Sequence, residues 1–244
     1  MVETLGMCTG RYTKKNKLNI AAIDAMIEEM PPKNGVVEKN QRSEYGERYR
    51  AIAAEKTVYP EVVTVEQQVT LENPKRDDIV ILGSAGMRIV TAGDIVCFAG
   101  MVAGLNASMK NDYNITVLRG QSVSELILSP EKIGYAGLET PSIVLALSDE
   151  GVQRRKKIFP KLGPDTLVVK EASVTIPETA AEVVTVDYKA LKIKRHDWAL
   201  ASLGFLAKRG RGITEEMLIP ALKARFNEKV FGMAMETVNK TLKG

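Results

Sequence analysis

A chain of 244 residues, 45% hydrophobic and 26% charged, with a formal net charge of +4, predicts a globular protein of one domain, or one domain with an extension. No apolar run approaches the ~18 residues of a membrane-crossing helix, and the first residues lack the apolar core of a secretory leader. So small a positive excess, without a basic stripe, also argues against nucleic acid; the expected setting is the cytoplasm, with neither membrane nor nucleic acid as partner.

Residues 1–77 differ from the rest of the chain. Basic and acidic side chains balance there, so the positive excess belongs to the remainder. A short amphipathic helix is predicted over residues 20–30, stopped by Pro31-Pro32, and a charged stretch with Tyr45 and Tyr49 comes next. Residues 58–71 alternate through Val62, Val63, Val65 and Val69, as an extended strand or arm would. This piece is too small to bury a large core alone. It reads as an arm packed on the main domain or on another subunit; a partly unfolded tail is the plainer alternative.

Residues 78–104 carry the most information. The apolar run Ile79-Val80-Ile81-Leu82 meets a glycine bend, Gly83-Ser84-Ala85-Gly86, and small and apolar residues succeed it at helical spacing. That order predicts a buried strand, a tight turn and a helix over 88–104, the unit that opens a doubly wound α/β domain. Cys97 on that helix reads as a small buried hydrophobe. Further strands are predicted at 115–118 and 124–128, on either side of Arg119-Gly120, and at 142–147, 166–169 and 183–186. Asp149 is the expected cap of a helix over 150–159, and the last third reads as helices at 198–209, 214–227 and 228–243. The fold class is therefore α/β: a Rossmann-like, mostly parallel sheet with flanking helices over residues 78–244, plus an extended N-terminal arm over 1–77.

Two loops are candidates for ligand contact. Gly83, Ser84 and Gly86 form a strand-to-helix turn of the kind that offers backbone N–H groups to an anion. The turn does not match G-x-G-x-x-G, however, because Ala85 stands where pyrophosphate would approach; close packing of helix on sheet explains these glycines equally well. Arg119, Gly120 and Ser122 form the second loop, where an arginine beside a glycine suits a carboxylate or phosphate. The alternative is an arginine that pairs with Glu125 and holds the loop. The run Arg154-Arg155-Lys156-Lys157 reads as a solvated or subunit-facing surface near a helix C-terminus, or as a dock for an acidic partner. His196, between Arg195 and Asp197, reads as a solvated side chain with no nucleophile beside it. Two cysteines, Cys8 and Cys97, and a single histidine are too few for an iron–sulfur or structural zinc site. No catalytic set and no metal site is expected within this chain.

From Asp78 to Thr241 the sequence resembles the gamma subunit, or gamma domain, of the 2-oxoacid:ferredoxin oxidoreductases. The resemblance rests on the order of Gly83-Ser84-Ala85-Gly86, Thr91-Ala92-Gly93, Arg119-Gly120-Gln121 and Pro141-Ser142-Ile143-Val144-Leu145-Ala146-Leu147-Ser148. The turn departs from the family's G-x-G-G-Q-G in one glycine and the glutamine. What the resemblance implies is a multi-subunit enzyme in which thiamine diphosphate with Mg²⁺ and [4Fe–4S] clusters, held by alpha, beta and delta-type partners, oxidise a 2-oxoacid. Electrons would pass to ferredoxin or a similar acceptor, and coenzyme A would take the acyl group near the gamma interface. This chain would bind no cofactor alone and would wall the reaction chamber. Two other readings stand beside it: a free-standing nucleotide-binding module that uses the glycine bend, and a structural tether built on residues 1–77.

Overall fold

The structure, a computed structural model, describes residues 66–113, 120–134, 137–138 and 140–243. The helix expected over 20–30, most of the arm, Cys8, the strand expected at 115–118 and Arg119 lie outside the described residues. Residues 66–71, the described end of the predicted arm strand, form no strand. They are tied down instead by the N–H groups of Gln68 and Val69, which both donate to the Val102 carbonyl (2.8 and 3.1 Å).

In chain order the elements are β1 (Asp77–Ser84), α1 (Ile89–Val102), β2 (Asn106–Tyr113), β3 (Gln121–Ser129), β4 (Ile143–Ala146), α2 (Asp149–Arg155), β5 (Leu167–Glu171), β6 (Glu182–Val186), α3 (Trp198–Arg209), α4 (Glu215–Arg225) and α5 (Glu228–Leu242). Short 3-10 turns, Lys156–Lys161 and Arg195–Asp197, follow α2 and precede α3. The sheet order is β2-β3-β1-β4-β5-β6. β1, β4, β5 and β6 pair parallel. β3 pairs antiparallel with both β1 and β2, so β3 alone runs backward and the expectation of a mostly parallel sheet holds.

Both faces of the sheet are covered, which explains why its central strands read as continuous apolar runs. Alternation sends Ile79, Ile81, Ile143, Leu145 and Val169 to one face, against α1, α3, α4 and α5. Val80, Leu82, Val144 and Val168 face the other way, against Val152, Phe159 and Leu162 of α2 and the turn after it. Cys97 packs partly buried on the first cluster, and burial, with Asp94 nearby, pushes its thiol up to about 12.

Three local expectations change. β2 has the sequence NASMKNDY and no apolar alternation; it is an edge strand, half-buried and held by its backbone ladder with β3. The cap of α2 is Ser148, whose hydroxyl accepts the Gly151 N–H (3.2 Å), while the Asp149 carboxylate accepts the Thr175 N–H (3.0 Å). The helix also ends at Arg155, earlier than the expected Phe159, and continues as a 3-10 turn that contains Pro160, a residue that cannot donate an α-helical hydrogen bond.

Candidate functional site at the carboxyl ends of β1 and β4

β1 hands the chain through α1 towards β2, whereas its neighbour β4 hands it through α2 towards β5. The connections diverge between these two strands, and open α/β sheets form their ligand crevice outside the carboxyl ends at such a point. β1 ends there in Gly83 and Ser84.

Because β3 runs against β1, its first residues lie beside the last residues of β1. Gly83 stands opposite Ser122, and Ser84 opposite Gln121. The Ala85 N–H donates to the Gly120 carbonyl at 2.9 Å. Gly86 and Gly120 have φ of 84° and 86°, the left-handed region that glycine enters without cost. The two candidate loops, some 35 residues apart in sequence, therefore form one structure. Gly83, Ser84, Gly86, Gly120 and Ser122 are all part of it, with Ser84 and Ser122 buried.

The bend uses its amides internally. The Ser84 N–H faces the Met87 sulfur (3.3 Å), and the Met87 N–H donates to the Ser84 carbonyl (3.1 Å). A Cβ on Gly83 would stand 2.3 Å from Ile89 Cδ1, and a Cβ on Gly151 only 2.5 Å from the Gly83 nitrogen. Glycine at 151 lets the first turn of α2 rest on the backbone of β1, and glycine at 83 leaves room for Ile89 of α1. Close packing thus accounts for Gly83.

Side chains gather at the mouth of the crevice. The Ser84 hydroxyl donates to the Glu150 carboxylate and accepts from the Arg195 guanidinium (3.4 Å), which lies 3.9 Å from Glu150. Arg88, left-handed at φ 56°, donates to Asp197 at 2.7 Å, and His196 Nε2 lies 3.1 Å from the same carboxylate. Arg195 and Asp197 are therefore fastened to Ser84, Glu150 and Arg88 around the glycine bend, while His196, 44% exposed beside its neighbour Asp197, keeps the solvated character expected of it. Sequence reasoning missed Glu150, Arg88 and Arg195 as members of this cluster. Their one legible signal was the position of Glu150 just inside a helix after a turn.

The basic run is in large part the solvated face expected of it: Arg154, Lys156 and Lys157 are exposed, and only Arg155 is half-buried. Arg154 pairs with Asp112 (2.8 Å) and holds that carboxyl below the usual range. Arg155, with only 23% of its side chain exposed, bonds Glu125 (2.8 Å) and approaches Asp112 (3.4 Å). Glu125, for which Arg119 was the expected alternative partner, is shared by Arg155 and Lys110 (3.7 Å). These pairs clamp α2 to the β2–β3 hairpin. Among the described residues no cluster of three His, Cys, Asp or Glu could hold a metal ion, and no helix is long and apolar enough to cross a membrane.

The family model described as pyruvate ferredoxin/flavodoxin oxidoreductase matches residues 78–243. The chain belongs to that family. A curated relative, the 2-oxoglutarate synthase subunit KorC of Archaeoglobus fulgidus, is 26% identical over 101 residues, 41% of this chain and 52% of the relative; the chain thus matches about half the length of that protein. Among solved structures, the gamma subunit of a keto/oxoacid ferredoxin oxidoreductase from Geobacter sulfurreducens is similar, with a TM-score of 0.58 and 17% identity, covering 69% of this chain and 95% of that one. Pyruvate oxidoreductase subunit PORC from Thermotoga maritima gives 0.54 and 15%, covering 69% and 96%. The 2-oxoglutarate:ferredoxin oxidoreductase of Magnetococcus marinus, solved with 2-oxoglutarate, coenzyme A and succinyl-CoA bound, gives 0.58 and 21%, covering 69% of this chain and 31% of that one. At these identities the structural likeness speaks for the fold. Within the family, this member carries Ser84, Ala85 and Gly86 at its bend and closes the bend with the Glu150–Arg195 contact.

Proposed function

We propose that this chain is the gamma-type subunit of a 2-oxoacid oxidoreductase complex, with residues 78–244 as the family domain and 1–77 as an added arm. One observation carries the reading: in a chain matched to the family over 78–243, the bend at Gly83–Gly86 and the loop at Gly120–Ser122 meet at the carboxyl ends of the parallel strands. Alpha, beta and delta-type companions would hold thiamine diphosphate, Mg²⁺ and [4Fe–4S] clusters; a cluster takes four thiolates, and this chain has two cysteines. Those groups, when bound, supply decarboxylation of the 2-oxoacid and single-electron transfer to ferredoxin or a similar acceptor.

This chain's own contribution is enclosure and orientation. The carboxyl end of the sheet with its bend forms a wall that keeps water from a reactive intermediate. Since the Ser84, Ala85 and Met87 amides are engaged within the protein, the exposed guanidinium groups of Arg88 and Arg195 are the natural contacts for an anionic co-substrate such as coenzyme A at the interface. Arg119, one residue before Gly120, is assigned a contact with that anion or with a companion subunit.

Co-purification under anaerobic conditions tests the assignment. Thiamine- and iron-bearing partners are expected to follow the tagged full-length chain. A chain that purifies alone and is stabilised by NAD or ATP in a thermal shift would overturn it in favour of the nucleotide-binding module. Within the complex, Arg119→Ala is expected to lower turnover or assembly about tenfold or more while leaving the melting temperature of the chain in place; unchanged turnover removes Arg119 from the site.

A further inference from the structure

The far edge of the sheet holds a second feature, separate from the crevice. β6 pairs only with β5 and ends the sheet. Its bonds to the β5 side come from even-numbered residues: the Glu182 N–H donates to the Thr166 carbonyl, and the Val186 carbonyl accepts the Ala172 N–H, both at 3.0 Å. Backbone polar groups alternate sides along a strand, so the N–H and C=O groups of Val183 and Thr185 point outward, away from β5. Both residues are exposed, Val183 by 42%. Among the described residues no strand pairs with that edge.

Beside the edge lies an open groove of about 590 Å³. Its apolar part comes from Val186, Leu191 and Phe205, and its rim carries Lys208, Arg209 and Lys240. Arg209 is occupied, bonded to Glu182 at 2.8 Å and stacked over Phe205 at 5.3 Å. Lys240 Nζ donates to the Lys192 carbonyl at 3.2 Å. Among the described residues the one acid lining the groove, Asp187, accepts the Ala190 N–H at 2.9 Å. With Arg209 held by Glu182, Lys208 and Lys240 face one engaged carboxylate over an apolar floor, next to a strand edge that is unpaired among the described residues.

The geometry points to strand addition: we infer that an extended acidic segment of a companion subunit lies along β6 as a seventh strand. Its backbone pairs with Val183 and Thr185, its apolar side chains enter the groove, and its carboxylates meet Lys208 and Lys240. Main-chain pairing supplies affinity in this mode, and pockets for alternate side chains supply specificity. An edge left bare would invite indiscriminate pairing; the lysine rim selects by charge. The inference rests on the chain being one subunit of an assembly and is independent of which 2-oxoacid that assembly uses.

The test uses the full-length chain, free and in its co-purified complex. Exchange of the Val183 and Thr185 amides is expected to slow about tenfold or more in the complex. A zero-length carbodiimide is expected to couple Lys208 or Lys240 to Asp or Glu of a companion. Thr185→Pro removes an outward N–H that β5 does not use, so the chain keeps its fold; this variant should abolish the protection of Val183 and the coupling, whereas Thr185→Val should preserve both. The double variant Lys208→Glu with Lys240→Glu should weaken the association of that companion. Free exchange of both amides in an intact complex, or coupling only to residues 1–65 of this chain or to a second copy, would overturn this inference and leave the subunit assignment standing. A chain that purifies alone overturns both.

Discussion

Several buried polar residues, among them Asp77, Ser124 and Thr241, meet partners that long-range packing supplies. Asp77 shows the consequence for stability. It is buried at the start of β1, and its carboxyl sits above the usual range mainly through desolvation, against the opposing pull of Lys75 and the Ser142 hydroxyl. The folded state therefore holds this proton to a higher pH than the unfolded chain. Stability is lost as the pH rises from the unfolded carboxylate pKa, about 3.9, through the raised folded value. Asp77→Asn keeps an acceptor for the Ser142 hydroxyl, 3.1 Å away, and needs no ionisation. It is expected to melt above the parent at pH 7, with the advantage shrinking below about pH 4; melting curves across pH 3–8 check the sign. Asp112 has the opposite sign. Arg154 depresses its carboxyl, so its contribution is present above the unfolded pKa and fades as acid protonates it.

At the scale of elements, α2 decides how the crevice is shaped. Several contacts hold it, and three of them can be broken separately. Gly151→Ala places a methyl 2.5 Å from the Gly83 nitrogen and 2.6 Å from the Leu82 carbonyl carbon, both backbone atoms with nowhere to move. The expected cost is about 1–3 kcal/mol, by overpacking, read as a lower denaturant midpoint; an unchanged midpoint would show that α2 can slide. Arg155→Ala leaves the nearly buried Glu125 carboxylate with Lys110 at 3.7 Å as its remaining partner. A loss of about 1–3 kcal/mol is expected for an unsatisfied group, and adding Glu125→Gln should recover part of it. Arg154→Ala, which removes a more exposed pair, should cost less. A denaturation series over these variants ranks the pairs, and equal losses for Arg154 and Arg155 would contradict the burial argument.

On the scale of the whole molecule, the sheet presents two candidate functional borders. Its carboxyl end gathers the bend, the Gly120 loop, Glu150 and Arg195 around the switch point between β1 and β4. Its lateral border, β6, offers backbone that no strand among the described residues pairs with, beside a basic groove. A subunit that encloses a chamber formed elsewhere needs both kinds of surface, one towards the reacting groups and one towards its neighbours. The proposed Arg119 contact belongs to the first and strand addition to the second, so their variants should separate turnover from attachment: Arg119→Ala read in catalysis or assembly of the site, Thr185→Pro read in the docking of one companion.

Residue order alone specified the central strands and all three C-terminal helices, because those elements bury a periodic face or two whole faces and leave a continuous apolar trace. Thr214 and Asn227 mark helix starts by accepting the Met217 and Val230 N–H groups, and Gly210 marks a stop at φ 60°; such caps are local and legible. Family membership was legible too, since it lies in the order of short motifs along the chain. Folding was required to reveal β2, an edge strand whose backbone ladder imposes no apolar alternation. It was equally required to bring Gly120 to Ala85 and Arg195 to Ser84, contacts across 35 and 111 positions. Side-chain pairing over such separations depends on strand direction and on where helices land, neither of which is written in any single stretch of sequence.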